Sequence, residues 1–314
     1  MMKLLSKSNH VLLGKLISAL PLLVVVAPLH GVVYSYSLNT SGAGWLDQHS
    51  LPVIGDEACV PTSATNAMTY LQSVAPGYLG TSLTGSSYTD WTNAALTVAG
   101  PNYLNTSASD GTDLDYLPQA IDKYIRQDNG FTGVQLSGVL PSDIWVDSPF
   151  TKPSYITDGV PLASYFLDAI MNGAATMFSI QYTDAQGGGG HELFATGIDW
   201  NDANNDGIAQ ESESAMLHFI DPLDPALYDG SGSPSSGPRI TSGSFHYDET
   251  DEVLRFSYSQ YTGGLPYDGS EYGDVIDSYI VGAFTMQVPE PSDYAIIAGA
   301  LALAGAMIRR RMQA

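Results

Sequence analysis

The stretch ATMFSIQYTDAQGGGGHELFATGIDW (175–200) decides how this chain is read. ATMFSIQY (175–182) and HELFATGIDW (191–200) are rich in β-branched and aromatic residues, and the glycine run Gly187–Gly190 stands between them. That pattern predicts two strands. SAMLHFIDP (214–222) reads as a third strand, and VLRFSYS (253–259) and SYIVGAFTM (278–286) as late ones. A long hairpin between 191–200 and 214–222 would return Asp221 towards His191, with Asn205-Asp206-Gly207 making its turn.

Helical signals lie upstream. In CVPTSATNAMTY (59–70), Pro61 suits a first turn, and Ala64, Ala67, Met68 and Leu71 recur at helical spacing. DLDYLPQAIDKYIRQDNG (113–130) suits a second helix ending near Gly130. Tyr165 to Met171 suits a third, stopped by Asn172-Gly173. Residues 38–57 read as extended or loop-like, 74–112 as irregular, and 223–250 as loop-rich. Helices first and mainly antiparallel strands afterwards is the order of an α+β domain, with N-terminal helices packed on a sheet. Neither an internal repeat nor an internal boundary is evident in 38–287.

The two ends read as addresses. Lys3, Lys7 and Lys15 accompany an apolar run, Leu16 to Leu29, that includes LPLLVVVAPL (20–29). A basic start and a short apolar stretch are the pattern of a signal peptide for the Sec translocon, here residues 1–37, with cleavage expected around 31–37. At the other end, VPEPSDYAIIAGALALAGAMIRRRMQA (288–314) holds Pro289-Glu290-Pro291, then 15 uncharged residues from Tyr294 to Ile308, then Arg309, Arg310 and Arg311. An unassisted span needs about 20 residues, so this helix would anchor only transiently, arginines inside. The three-part arrangement resembles the PEP-CTERM sorting tail of Gram-negative bacteria. The resemblance implies recognition and removal by an exosortase, and a final place in the periplasm, at the cell surface or in the extracellular matrix.

Of 33 acidic and 11 basic side chains, residues 38–291 keep 32 and five, a net charge of −27. Such a body repels phosphate backbones, which argues against nucleic-acid binding. An apolar share of 44% suits a packed globular protein.

The single cysteine, Cys59, precludes an intramolecular disulfide. A lone thiol in an exported protein is either buried and inert or kept for its chemistry. Nucleophilic cysteine catalysis needs a histidine that takes the thiol proton and a third group that orients the histidine. A helix N-terminus helps, because its dipole favours the thiolate. Cys59 lies where the first helix should begin, His191 opens a strand behind glycines, and Asp221 closes a strand. Asp56 and Glu57 place negative charge beside the thiol and act the other way. Asp224 and Asp199 are rivals for the third position, and Asp199 lies too far along its strand to touch His191. His218 and His246 show no comparable setting.

EACVPTSATNAMTYL (57–71), GGGGHELFATGIDW (187–200) and LHFIDPLDP (217–225) together resemble the papain-like cysteine peptidases of the bacteriocin-processing type. The resemblance spans roughly residues 50–225. It implies a papain-like fold and cleavage of peptide or amide bonds in a peptide or protein substrate, without a required cofactor. Cys59 would be the nucleophile, His191 the base and Asp221 the orienting acid. The family carries an oxyanion-hole glutamine about six residues before the cysteine. Val53 stands there in this chain, and the nearest glutamine is Gln48, eleven residues before. Val60 replaces the family's glycine after the cysteine. A non-catalytic surface or matrix protein, binding through Tyr-, Ser- and Gly-rich loops, is the alternative reading.

DANNDGIAQESE (202–213) is a second constellation. Asp202, Asn204, Asp206 and Glu213, with Gly207 for the turn, match the alternate oxygen ligands of a calcium loop. The competing reading is the tip of the 191–222 hairpin.

Overall fold

The computed structural model describes residues 31–183, 189–223, 237–258 and 276–289. Its helices are α1 (Cys59–Val74), α2 (Pro76–Leu79), α3 (Tyr88–Ala99), α4 (Tyr116–Asp122, running on as a π-turn to Asp128) and α5 (Ala163–Met171). Its strands are β1 (Val32–Ser37), β2 (Gln135–Leu140), β3 (Ile156–Asp158), β4 (Ala175–Tyr182), β5 (Gly190–Asp202), β6 (Ala215–Ile220), β7 (Thr241–Asp248), β8 (Val253–Tyr258) and β9 (Ile276–Gln287).

The expected papain-like α+β arrangement, helices laid on a sheet, is overturned. Strands β4 to β9 pair antiparallel in chain order, and β4 pairs with β9 as well as with β5, so the six close into a barrel. β1 continues along β5 beyond β4, and β2 continues along β9 beyond β8, with β3 parallel to β2. Closure depends on β7, in a segment read as loop. In TSGSFHYD (241–248) only Gly243 and Phe245 are buried, so its strand signal is faint.

Aromatic side chains fill the barrel. The ring of Phe178 on β4 lies 5.8 Å from Phe219 on β6 and 5.5 Å from Phe256 on β8. β4 borders neither of those strands, so these edge-on contacts cross the interior. Phe166 of α5 adds a ring 5.8 Å from Phe178. Gly197 marks a register shift between β5 and β6, where a Cβ would come within 3.0 Å of both His218 Cδ2 and the Tyr36 carbonyl.

α1 is buried from Val60 to Gln72, between β4 and β5 on one side and α3 on another. A helix covered all round needs few polar residues, yet this one carries six buried ones. Five of them bond to backbone, and the Thr62 hydroxyl has no partner among the described residues. Asn66 holds Leu46 at both ends, accepting from its N–H (2.7 Å) and donating to its carbonyl (3.1 Å). Gln72 accepts from the N–H groups of Leu83 and Thr84 and donates to the carbonyl of Gly85. The 43–51 loop is thereby fastened to the helix that starts at Cys59.

α3 falls inside 74–112, read as irregular. Ser87 and Asp90 form a reciprocal capping box, and Ala94, Ala95, Val98 and Ala99 are buried. Among the described residues no helix is long and apolar enough to cross a membrane. The expected C-terminal span, Tyr294–Ile308, and the apolar part of the signal segment lie outside the described residues. β1 occupies most of the interval 31–37 in which signal cleavage is expected.

Candidate active site

Cys59 is the first residue of α1, half-buried, and Ala58 before it caps nothing with its side chain. The first-turn N–H groups at Cys59 and Val60 therefore point out of the helix as donors beside the thiol, since a helix cannot bond them internally. Pro61 has no N–H and fits this turn.

His191 is the second residue of β5, opposite Ile180 of β4. Alternation puts it on the face of Ile180 and Phe178, at the barrel's end, while Glu192 faces outward to α1. The outward direction is fixed by Phe194, whose ring lies 5.8 Å from that of Tyr70 on α1. Asp221 follows the last residue of β6, and the β5–β6 pairing returns it to the start of β5. His191 Nε2 donates to Asp221 Oδ1 at 2.8 Å, and both side chains are almost wholly buried. The N–H of Leu223 donates to the same oxygen at 2.8 Å and fixes the carboxylate. The Cys59 thiol lies close enough to the ring to help raise its pKa. With Nε2 committed to Asp221, Nδ1 is the ring nitrogen left to face it. Thiol, imidazole and carboxylate thus come together from three separate elements.

Burial by itself would lower the imidazole pKa. Tyr182, the Asp221 carboxylate and the contributions of Asp221 and Cys59 oppose it and carry the ring well above its ordinary value, which favours the imidazolium. Burial, with Asp221 and Tyr182 beside it, holds the Tyr258 hydroxyl far above its usual value and therefore neutral.

Gln48 lies in a 3-10 turn and is buried. Its backbone N–H donates to the Pro222 carbonyl (3.0 Å), and its Nε2 donates to the Asp56 carbonyl (3.0 Å), three residues before Cys59. The glutamine eleven residues from the cysteine in sequence is thus fastened between the Asp221 turn and the approach to the thiol. Its second Nε2 hydrogen is uncommitted by that bond.

Of the rival acids, Asp199 pairs with His218, whose Nε2 lies 2.8 Å from Asp199 Oδ2 while Nδ1 faces Ser242 Oγ at 2.7 Å. That polar row crosses β5, β6 and β7 away from Cys59. Asp224 lies outside the described residues. His246 sits on β7 opposite Arg255.

In 202–213, Asp202 and Asn204 both accept from the Asp206 N–H (3.1 Å each), Asp202 also from Gly207, and Asp206 from Ile208. Gly207, at φ 81°, makes the turn. Glu213 turns elsewhere, accepting from the N–H groups of Ala203 and Gln210 and from Trp200 Nε1. Among the described residues no group of three or more His, Cys, Asp or Glu side chains is gathered to hold a metal. The segment is the connection of the β5–β6 hairpin.

Two buried groups beside the site carry no motif. Glu192 accepts from Ser179 Oγ at 2.5 Å, and its other oxygen has no partner among the described residues. Burial is the main cause that pushes its carboxyl up to about 7; the Ser179 bond and the His191 charge only moderate this. Ser63 Oγ donates to the Glu192 carbonyl at 2.7 Å. Only knowledge of the β4–β5 register and of the face α1 turns to β5 would have singled these two out.

Scanned against models of protein families the chain matches none, and no curated protein matches it either. The functional reading is carried by the geometry of the site.

Proposed function

We propose that this protein is a cysteine-dependent hydrolase that cleaves peptide or amide bonds, with Cys59, His191 and Asp221 as its catalytic unit. The observation that carries the reading is the buried His191–Asp221 bond of 2.8 Å, with the Cys59 thiol beside the ring at the start of α1. An imidazole held by a carboxylate and set beside a thiol can take the thiol proton and return it to a leaving group.

The chemistry follows from those placements. The sulfur attacks the scissile carbonyl carbon, and the carbonyl oxygen takes the negative charge. The Cys59 N–H at the uncapped start of α1 and the Gln48 amide are the donors for that oxygen. His191 gives its Nδ1 proton to the leaving amine, and a thioester remains on Cys59. His191, now neutral, takes a proton from water as the water attacks the thioester. The acid product leaves, and the thiolate–imidazolium pair is restored. Asp221 keeps the ring oriented and offsets its charge throughout.

The three-part tail and the leader support the further proposal that the protein is exported through the Sec translocon and handed to an exosortase at the surface of a Gram-negative cell. Cleavage of the leader before Val32 would leave β1 on the barrel. The decisive experiment for the hydrolase reading is digestion of a peptide mixture by the purified protein, read by mass spectrometry. New termini are expected with wild type and none with Cys59→Ala. Identical peptide sets from the two would refute the reading.

A further inference from the structure

We propose that Ser63 is a positioning residue that sets how closely the Cys59 thiol and the His191 ring approach, by bonding the helix of the one to the strand of the other. This deepens, and rests on, the hydrolase reading above.

Cys59 and Ser63 are four residues apart on α1, so they lie one above the other on one helix face. Cys59 lies near enough to the His191 ring to act on its charge, and Ser63 Oγ donates to the carbonyl of Glu192, the next residue of the strand, at 2.7 Å. One turn of helix and one peptide unit of strand therefore form a closed frame, with the thiol–imidazole contact on one side and the hydroxyl–carbonyl bond on the other. Ser63 is fully buried and Glu192 nearly so, so water does not compete for the bond.

The neighbouring polar side chains of α1 do other things. Thr65 and Thr69 bond carbonyls of their own helix, and Asn66 and Gln72 hold loops. Ser63 reaches the strand that carries the imidazole. The far side of that strand segment is also held, because the Glu192 carboxyl bonds Ser179 of β4. His191 is thus anchored along its backbone from α1 and β4, while Asp221 fixes only its ring. Anchoring matters because a shift of about 1 Å between reacting groups can cost on the order of a hundredfold in rate.

The test is the rate of Cys59 alkylation by iodoacetamide across pH 5–9 in the purified full chain, for wild type, Ser63→Ala, Ser63→Thr and Thr65→Ala. Thr65→Ala removes a buried hydroxyl from the same helix without touching β5, and so reports ordinary loss of stability. Ser63→Ala is expected to keep its circular dichroism spectrum but to slow labelling at pH 6 by about tenfold, towards the profile of a free thiol. Thr65→Ala is expected to follow wild type, and Ser63→Thr, which keeps the hydroxyl, to restore most of the pH 6 rate. A folded Ser63→Ala protein with the wild-type profile would overturn the proposal and leave the hydrolase reading standing. Equal slowing in Thr65→Ala, or failure of Ser63→Ala to fold, would overturn it too, by showing a structural role. A wild-type protein that labels like a free thiol would overturn the hydrolase reading, and this inference with it.

Discussion

His191 and Asp221 are 30 residues apart in the chain, and their side chains meet at 2.8 Å in a region closed to water. The hairpin of β5 and β6 makes that meeting, because its two outer ends carry the two residues. Breaking a buried pair leaves one polar group without its partner. Loss of either residue is therefore expected to cost stability, about 3–5 kcal/mol.

Activity should fall in a set order. Cys59→Ala is expected to abolish hydrolysis while the protein stays folded, since only one sulfur is lost. His191→Ala should be nearly as severe, because the two act as a unit. Asp221→Ala should be about a hundredfold milder. Initial rates on a peptide cleaved by wild type check the order. Full activity in His191→Ala would contradict it.

Thiol reactivity tests the proposed thiolate–imidazolium pair without any substrate. At pH 6 an ordinary thiol, of pKa about 8.5, is almost wholly protonated and slow to alkylate. Cys59 in wild type is expected to label faster than a model thiol there, and His191→Ala is expected to remove the advantage. Mass spectrometry of the Cys59 peptide gives the rates.

Glu192 links stability to pH. Its carboxyl rises from 4.5 to about 7 on folding, chiefly through burial. The folded state then binds more protons than the unfolded chain between those values, so stability is full below about pH 4.5 and declines as pH rises to about 7. The decline attributable to this group is on the order of 3 kcal/mol. Glu192→Gln is expected to remove it and to make the protein more stable than wild type at pH 8. Urea melts at pH 5 and pH 8 test this, and an unchanged difference between the two would count against it.

Glu213 accepts from three donors, those of Trp200, Ala203 and Gln210. Glu213→Ala is therefore expected to destabilise already in chelator, by about 1–3 kcal/mol. The calcium pattern of Asp202, Asn204 and Asp206 is tested in the same melts. A melting temperature that rises in millimolar calcium for wild type, but not for Asp206→Ala, would assign an ion to this loop by mass action.

The tail makes a separate prediction. Replacing Pro289-Glu290-Pro291 is expected to block tail removal and keep the protein at the membrane. An intact Ala314 on a secreted wild-type protein, found by mass spectrometry, would refute exosortase processing.

The elements that carry the candidate site were more legible in the sequence than the architecture around them. Helical spacing from Cys59 and the two strands flanking Gly187–Gly190 are strong local signals, and α1, β4 and β5 lie where those signals put them. Closure is a non-local property. It requires β4 to pair on both sides and β7 to count as a strand, and TSGSFHYD buries too little to announce itself. α3 was hidden by its threonines, Asn93 and Asp90, which favour turns over helix interiors, although Ser87 and Asp90 spell a capping box. β1 lies in a stretch read as the end of a leader. The buried acid Glu192 follows His191 in a strand whose alternation says nothing about which face α1 will cover.

The ring formed by β4 to β9 bears on how the molecule withstands peptidases. Every strand of a hoop keeps two bonded neighbours. A cut in any one connection between strands frees no strand to peel away, whereas an open sheet sheds its outermost strand when the link to it is severed. A nicked molecule would still have to open two ladders at once before a strand could leave. Nicked and intact chains would migrate together until denatured, with Cys59, His191 and Asp221 still facing one another across the cut.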